Sequence, residues 1–344
     1  MLPFFIFLSA FVGQARTATP SSKTTTVVLF GDSFTDQSRA HSIANGTYPG
    51  KDYQEVFPPA DTAADGGVQW PWYLGLYGNY KIWNYATGGA VCSNALTPLF
   101  GEPDVVSGQM DWFVQDHIEN KRLGLNPEEF VVVLYIGTND IGIHSFATDD
   151  QSPTVSLADL ANCQLQTLRN LFKLGARRFI VNSLIPLELT RLYSPSSAPT
   201  IYYPAPHNGT QWNARIYNFV QTMNALLKGG VLALRQEWAA RGASVQMFDT
   251  YGLFTEMYHN PTRFFNGSAP ANVTGHCHQC PDADDYRQCG MPGPISLATA
   301  ETVLPISETH SCGGANELHP SEQTGRNLAM EMFRAISGHS KFLS

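Results

Sequence analysis

The chain has 344 residues, with 21 basic and 29 acidic side chains and a formal net charge of −8. Apolar residues make up 43% and charged residues only 15%, which is enough apolar mass for a large core and excludes global disorder. The acidic balance argues against a sequence-independent nucleic-acid binder and against a polybasic membrane-surface protein, since both need a basic footprint.

The N-terminus opens with an apolar run, Leu2 to Val12, followed by the small-x-small site Gly13-Gln14-Ala15. This pattern predicts a signal peptide over residues 1–18, cleaved near Ala15 or Ala18, and a single mature domain over 19–344. The run is too short to span a bilayer, and no later segment has 18 consecutive apolar residues, so a soluble, secreted protein with no membrane partner is expected. Four N-glycosylation sequons agree with export, at Asn45, Asn208, Asn266 and Asn272. The six cysteines, Cys92, Cys163, Cys277, Cys280, Cys289 and Cys312, suggest three disulfides in an exported chain, with the pairing open. The cluster His276-Cys277-His278-Gln279-Cys280 with Cys289 reads as a zinc site or as a disulfide-stapled loop, and secretion favours the loop.

Continuous apolar strands are expected at Thr26–Phe30, Phe130–Ile136 and Phe179–Val181, with weaker ones at Tyr80–Tyr85 and Val245–Phe248. Their lack of alternation implies burial on both faces. Ser156 is placed to cap a helix bearing Leu157, Leu160, Leu165, Leu168 and Leu171 and ending at Gly175. A longer helical pattern runs from Gln211 to Ala240, with a break expected at Gly229-Gly230, and a last one follows His319-Pro320. Strands alternating with helices give an α/β class with a parallel, doubly wound sheet. The stretches Ala40–Asp65 and Asn260–Thr309 break this rhythm and read as loop insertions on the core.

Four segments bear chemistry, each after a strand or just before a helix. Gly31-Asp32-Ser33-Phe34 follows the first strand, at the sheet edge where open α/β folds place ligands. Asn84-Tyr85-Ala86-Thr87-Gly88-Gly89-Ala90 follows the second, and its glycines let backbone N–H groups approach a ligand. Gly137-Thr138-Asn139-Asp140 follows the strongest strand and presents a side-chain amide at the same edge. In Asn316-Glu317-Leu318-His319-Pro320 the proline keeps His319 out of the helical region, in a loop suited to proton transfer. The patterns GxGxxG, Walker A, HExxH and GxSxG are absent.

In identity, order and placement these four blocks resemble the SGNH (GDSL) hydrolase family. The resemblance implies a flavodoxin-like three-layer α/β/α sandwich with a parallel sheet. It implies Ser33 as nucleophile, His319 as base, and an oxyanion hole formed by the Ser33 N–H, the Gly89 N–H and the Asn139 amide, with no metal or organic cofactor. Gly89 is preferred to Gly88 because the family's glycine usually stands five residues after the asparagine, here Asn84. The family usually has Asp three residues before the histidine, and here that position is Asn316. The amide adds no negative charge to stabilise imidazolium, and this exchange in a serine-protease triad lowers kcat about 10⁴-fold. Orientation of His319 by Asn316 or backbone, an acid from Asp282, Asp284 or Asp285, and a weakened enzyme all stay open.

The wording Phe30 to Arg39, Trp70-Pro71-Trp72-Tyr73 and Asn84 to Asn94 is similar to fungal acetylesterases of carbohydrate esterase family 16. This resemblance implies a secreted serine esterase that removes acetyl groups from acetylated xylo-oligosaccharides or similar plant cell-wall sugars. The alternatives are an SGNH lipase or phospholipase and a non-catalytic sugar-binding relative. Trp70, Trp72 and Tyr73 are candidates for stacking on the sugar, with Tyr48 and Tyr53 behind them. The expected partner is the oligosaccharide substrate alone, bound by a monomer.

Overall fold

The computed structural model describes residues 24–37, 46, 68–121, 124–198, 200, 202–265, 272–276, 312–314 and 317–344. The N-terminal run, Tyr48, Tyr53, Asn45, Asn266 and Asn316 therefore lie outside the described residues, as do Cys277, His278, Cys280, Asp282, Asp284, Asp285 and Cys289.

The core is one five-stranded sheet of β1 (Thr26–Gly31), β2 (Lys81–Asn84), β3 (Phe130–Tyr135), β4 (Arg178–Asn182) and β5 (Ser244–Phe248). All pairings are parallel and the order is β2-β1-β3-β4-β5. Each expected strand is present, and β1 and β3 are buried along their whole length, as two-sided burial of a continuous apolar run requires. This is the flavodoxin-like order, with chain reversal between β1 and β3.

Helices cover both faces. Chain order then gives α1 (Trp70–Gly78), α2 (Met110–Val114, flanked by π-helical turns Val105–Gln109 and Gln115–Glu119), α3 (Thr138–Ile141), α4 (Leu157–Lys173) and α5 (Gly209–Trp238). They are followed by α6 (Thr250–His259), α7 (Pro261–Phe264) and α8 (Glu322–Ile336). Helices α4 and α5 pack together, and so do α1 and α8. The connections through α4 and α5 step one way along the sheet, and the connection through α1 steps the other. Right-handed crossovers therefore put the two helix pairs on opposite faces.

The cap expected for α4 forms as a capping box between Ser156 and Asp159. Helix α5 starts on an Asn208 cap and runs unbroken through Gly229-Gly230, against the expected break. The physical reason is packing: a Cβ on Gly230 would lie 2.2 Å from Leu165 Cδ1 of α4, so the glycine lets two helices approach. The second insertion is not wholly irregular either. It carries α7 and the strand β6 (Asn272–His276), which pairs in parallel with β7 (Cys312–Gly314).

Candidate active site

Ser33, Gly89, Asn139 and His319 come from four separate segments. The first three follow β1, β2 and β3 at their carboxyl ends, and His319 precedes α8. The Ser33 turn is a single tight turn closed by Asp36 N–H on Asp32 C=O at 2.9 Å. Its outward carbonyls are held from behind. Gln69 Nε2 donates to Ser33 C=O at 3.1 Å and Trp70 Nε1 to Phe34 C=O at 2.9 Å. The end of β1 is held too, because the buried Gln109 amide accepts from Gly31 N–H at 3.0 Å and donates to Gly31 C=O at 2.8 Å. With its carbonyls occupied, the turn presents its amide side to the site, and Ser33 N–H has no partner among the described residues.

The glycine turn is set by neighbouring carboxylates. Gly88 N–H donates to Asp36 Oδ2 at 2.8 Å, whereas Gly89 N–H has no partner among the described residues. Gly89 has φ +75°, a conformation that a side chain would strain. Beyond it, both oxygens of buried Asp140 accept Cys92 N–H at 3.1 Å, and Thr97 Oγ1 donates to Oδ1 at 3.1 Å. Asn139 Nδ2 donates one hydrogen to Ala90 C=O at 2.9 Å, and its second hydrogen is available to a ligand. A disulfide, Cys92–Cys163, ties the same loop to α4. Of the three disulfides expected, this one joins described cysteines.

His319 Nε2 lies 2.8 Å from Ser33 Oγ, and His319 is 3% exposed. Its ring sits between Phe34 (centroids 5.4 Å) and Tyr202 (5.9 Å), and Tyr202 hydroxyl is 3.3 Å from Nδ1. Burial pushes the imidazole pKa down to about 3, so it is neutral at ordinary pH. With Nε2 accepting from the serine hydroxyl, the ring proton sits on Nδ1 and Tyr202 accepts it. Behind the turn, Asp32 and Asp140 are both fully buried and burial raises each to about 7.

The aromatic expectations need correction. Trp70 is 1% exposed, and its indole is spent on Phe34. Tyr73 is 6% exposed, hydrogen-bonded to Glu322 and covered by Arg326 at 4.6 Å from its ring. Neither has a face free for a sugar, because both are buried where α1 packs against α8. Trp72 is half-buried, edge-on to Tyr73. Sequence reasoning missed Gln69, Gln109 and Tyr202, since no local motif marks a residue that reaches the site from a distant loop or helix.

In these four blocks a serine hydroxyl touches a neutral imidazole, with unspent amide donors on the adjoining loops. That arrangement suits acyl transfer through serine.

Comparison with known proteins agrees with this chemistry. The family model described as GDSL-like Lipase/Acylhydrolase matches residues 27–332. An acetylesterase of Hypocrea jecorina is 26% identical over 342 residues, covering 92% of this chain and 90% of that protein. The GDSL esterase/lipase EXL4 of Arabidopsis thaliana is 27% identical over 142 residues, covering 39% of this chain and 38% of that protein. Among solved structures, the α/β hydrolase LAE5 from the metagenome of Lake Arreo aligns with a TM-score of 0.43 and 13% identity, covering 93% of this chain and 97% of that one.

Proposed function

The chain belongs to the GDSL-like lipase/acylhydrolase family and is a carboxylic ester hydrolase, and from that premise we propose that it is a secreted deacetylase of plant cell-wall carbohydrates such as acetylated xylo-oligosaccharides. The observation that carries the mechanism is the 2.8 Å contact between His319 Nε2 and Ser33 Oγ. The acetyl preference is supported by the acetylesterase relative that aligns over 92% of the chain.

In this reading Ser33 Oγ attacks the ester carbonyl while His319 Nε2 takes its proton. The carbonyl oxygen becomes an oxyanion, stabilised by Ser33 N–H, Gly89 N–H and the second Asn139 amide hydrogen. These donors are held in place before substrate arrives, so their reorganisation costs little. His319 then returns the proton to the departing sugar hydroxyl. The acetyl-serine is cleared by water, which gives its proton to the same nitrogen. Tyr202 contributes to holding the imidazole at Nδ1, and Asn316 stands at the sequence position the family gives to Asp.

Secretion belongs to the same reading. The N-terminal run supports it, and so does Asn208, exposed at the start of α5. Its Oδ1 accepts Gln211 N–H at 3.1 Å, whereas a glycan attaches at Nδ2, so capping and glycosylation are compatible. Among the described residues no helix is long and apolar enough to cross a membrane.

The test is a substrate series on secreted protein: nitrophenyl acetate, butyrate and a long-chain ester, beside acetylated xylo-oligosaccharides, with Ser33→Ala in parallel. Acetate preference and acetate release from the sugars are expected, with Ser33→Ala inactive. Higher kcat/KM on the long-chain ester would replace the carbohydrate reading with a lipase. Turnover no greater than that of Ser33→Ala would leave a sugar-binding relative.

A further inference from the structure

An acetyl group has one methyl to bury, so a deacetylase must draw most of its binding energy from the alcohol part of its substrate. For a sugar, that part offers two handles: a flat face of C–H bonds and a set of hydroxyl donors. The matching protein groups are an open aromatic face and a free carboxylate. The stacking candidates Trp70 and Tyr73 supply neither, being buried.

The loop after the glycine turn supplies both. Phe100 is 63% exposed, a large apolar side chain left in water. A Cβ placed on Gly89 would lie 3.2 Å from Phe100 Cδ2 and 3.2 Å from Glu102 Cγ, so both side chains pack beside the Gly89 Cα, next to the residue whose N–H is unspent. Glu102 is half-buried, yet its carboxylate has no hydrogen-bond or ion-pair partner among the described residues. Burial and the neighbouring Asp36 carboxylate raise its pKa, so the group is held here at an energetic cost.

A wall of rings continues from this point. His144 stands edge-on to Phe100 at 6.0 Å and 6.0 Å from Tyr203. His144 is a non-glycine residue at φ +58°, a strained backbone state of the kind that persists where surroundings enforce it. The residue before Tyr203 is Tyr202, which reaches His319. The wall Phe100–His144–Tyr203 thus runs from the Gly89 side of the site to the His319 side.

We propose that Phe100 and Glu102 form a sugar-ring subsite beside the oxyanion donors, Phe100 taking the C–H face of a pyranose and Glu102 accepting its hydroxyl hydrogens. This rests on the deacetylase reading and adds the residues that select a carbohydrate alcohol.

Two measurements test it. First, the kcat/KM for acetylated xylotriose is divided by that for nitrophenyl acetate, which lacks the sugar. The ratio is expected to fall about tenfold in Phe100→Ala and in Glu102→Gln, the range expected for loss of an aromatic contact or a charged hydrogen bond, and to be kept in Phe100→Trp. Second, calorimetric titration of Ser33→Ala protein with acetylated xylotriose is expected to give a Kd about tenfold weaker when Phe100→Ala is added. Thermal melting checks that each variant is folded, and Phe100→Trp and Glu102→Gln serve where Phe100→Ala is not. Ratios within twofold of wild type in every folded variant, with the wild type deacetylating the sugar, overturn the subsite and leave the deacetylase standing. A wild type active on nitrophenyl acetate and inert on the sugars overturns both. A fall confined to long-chain esters overturns the sugar assignment in favour of an acyl groove.

Discussion

In the proposed mechanism His319 acts as base from a buried position, and burial decides how that activity should depend on pH. A histidine acts as base only when neutral. At its ordinary pKa of about 6.5 it would be about 90% protonated at pH 5.5. Burial lowers this one to about 3, so the fraction competent to take the Ser33 proton stays near one well into acid. The kcat/KM for nitrophenyl acetate is expected to hold from pH 7.5 to pH 5, with the acid limb below. A limb centred near 6.5 would show that an ionised acid faces Nδ1 in solution. The Tyr202 hydroxyl, 3.3 Å from Nδ1, should matter accordingly. Tyr202→Phe keeps the ring contact and loses the acceptor, and is expected to lower kcat/KM about three- to tenfold. Unchanged kcat/KM would remove Tyr202 from the positioning of the histidine. Asn139→Ala, which deletes a proposed oxyanion donor, is expected to cost about 10²–10³ in kcat. The four blocks proposed as catalytic are legible because each stands beside a regular element that the sequence marks. Phe100, Glu102 and Tyr202 were not, since only the folded chain brings their loops to Gly89 and His319.

At the scale of elements, the strands were read correctly for a physical reason. A strand buried on both faces has no polar side, and Phe130–Tyr135 contains no polar residue before its terminal tyrosine. Helix α1 escaped for a related reason. Trp70 to Gly78 has no polar stripe, so its rings read only as candidates for stacking, whereas Trp70 and Tyr73 are core against α8. The π-helical turns around α2 have no sequence signature, although they carry Gln109 to Gly31. The Cys92–Cys163 link has a sharper consequence. It closes a chain segment of 71 residues, for which loop-closure entropy gives about 4 kcal/mol. It also fastens the loop that holds Gly89 and Ala90. Cys163→Ser is therefore expected to lower unfolding free energy by about 2–4 kcal/mol and to reduce kcat more than it changes KM. Denaturant unfolding and steady-state kinetics read the two effects, and a midpoint equal to wild type would mean that Asp140 and its donors hold the loop alone.

For the molecule as a whole, three buried groups couple stability to pH, and their signs differ. Asp32 and Asp140 have folded pKa values raised to about 7, against an ordinary 3.8. Their contribution to stability is full below about pH 4 and is lost as pH rises to 7, because the unfolded chain releases their protons first. His319 is lowered to about 3 from 6.5, so its contribution is present above 6.5 and is lost as pH falls towards 3. Between about pH 4 and 6.5 the folded state holds two protons on the carboxyls, while the unfolded state holds one on the histidine. The excess proton on the folded state makes stability fall as pH rises through this window. Acidification also relieves the net charge of −8, which acts in the same direction. The protein is expected to melt at a higher temperature at pH 5 than at pH 7.5. Asp32→Asn and Asp140→Asn together should flatten that slope, because the amides have no proton to lose. A melting temperature that rises from pH 5 to 7.5 in the wild type would show that both carboxyls ionise freely behind the Ser33 turn, and hence that water reaches the floor of the site.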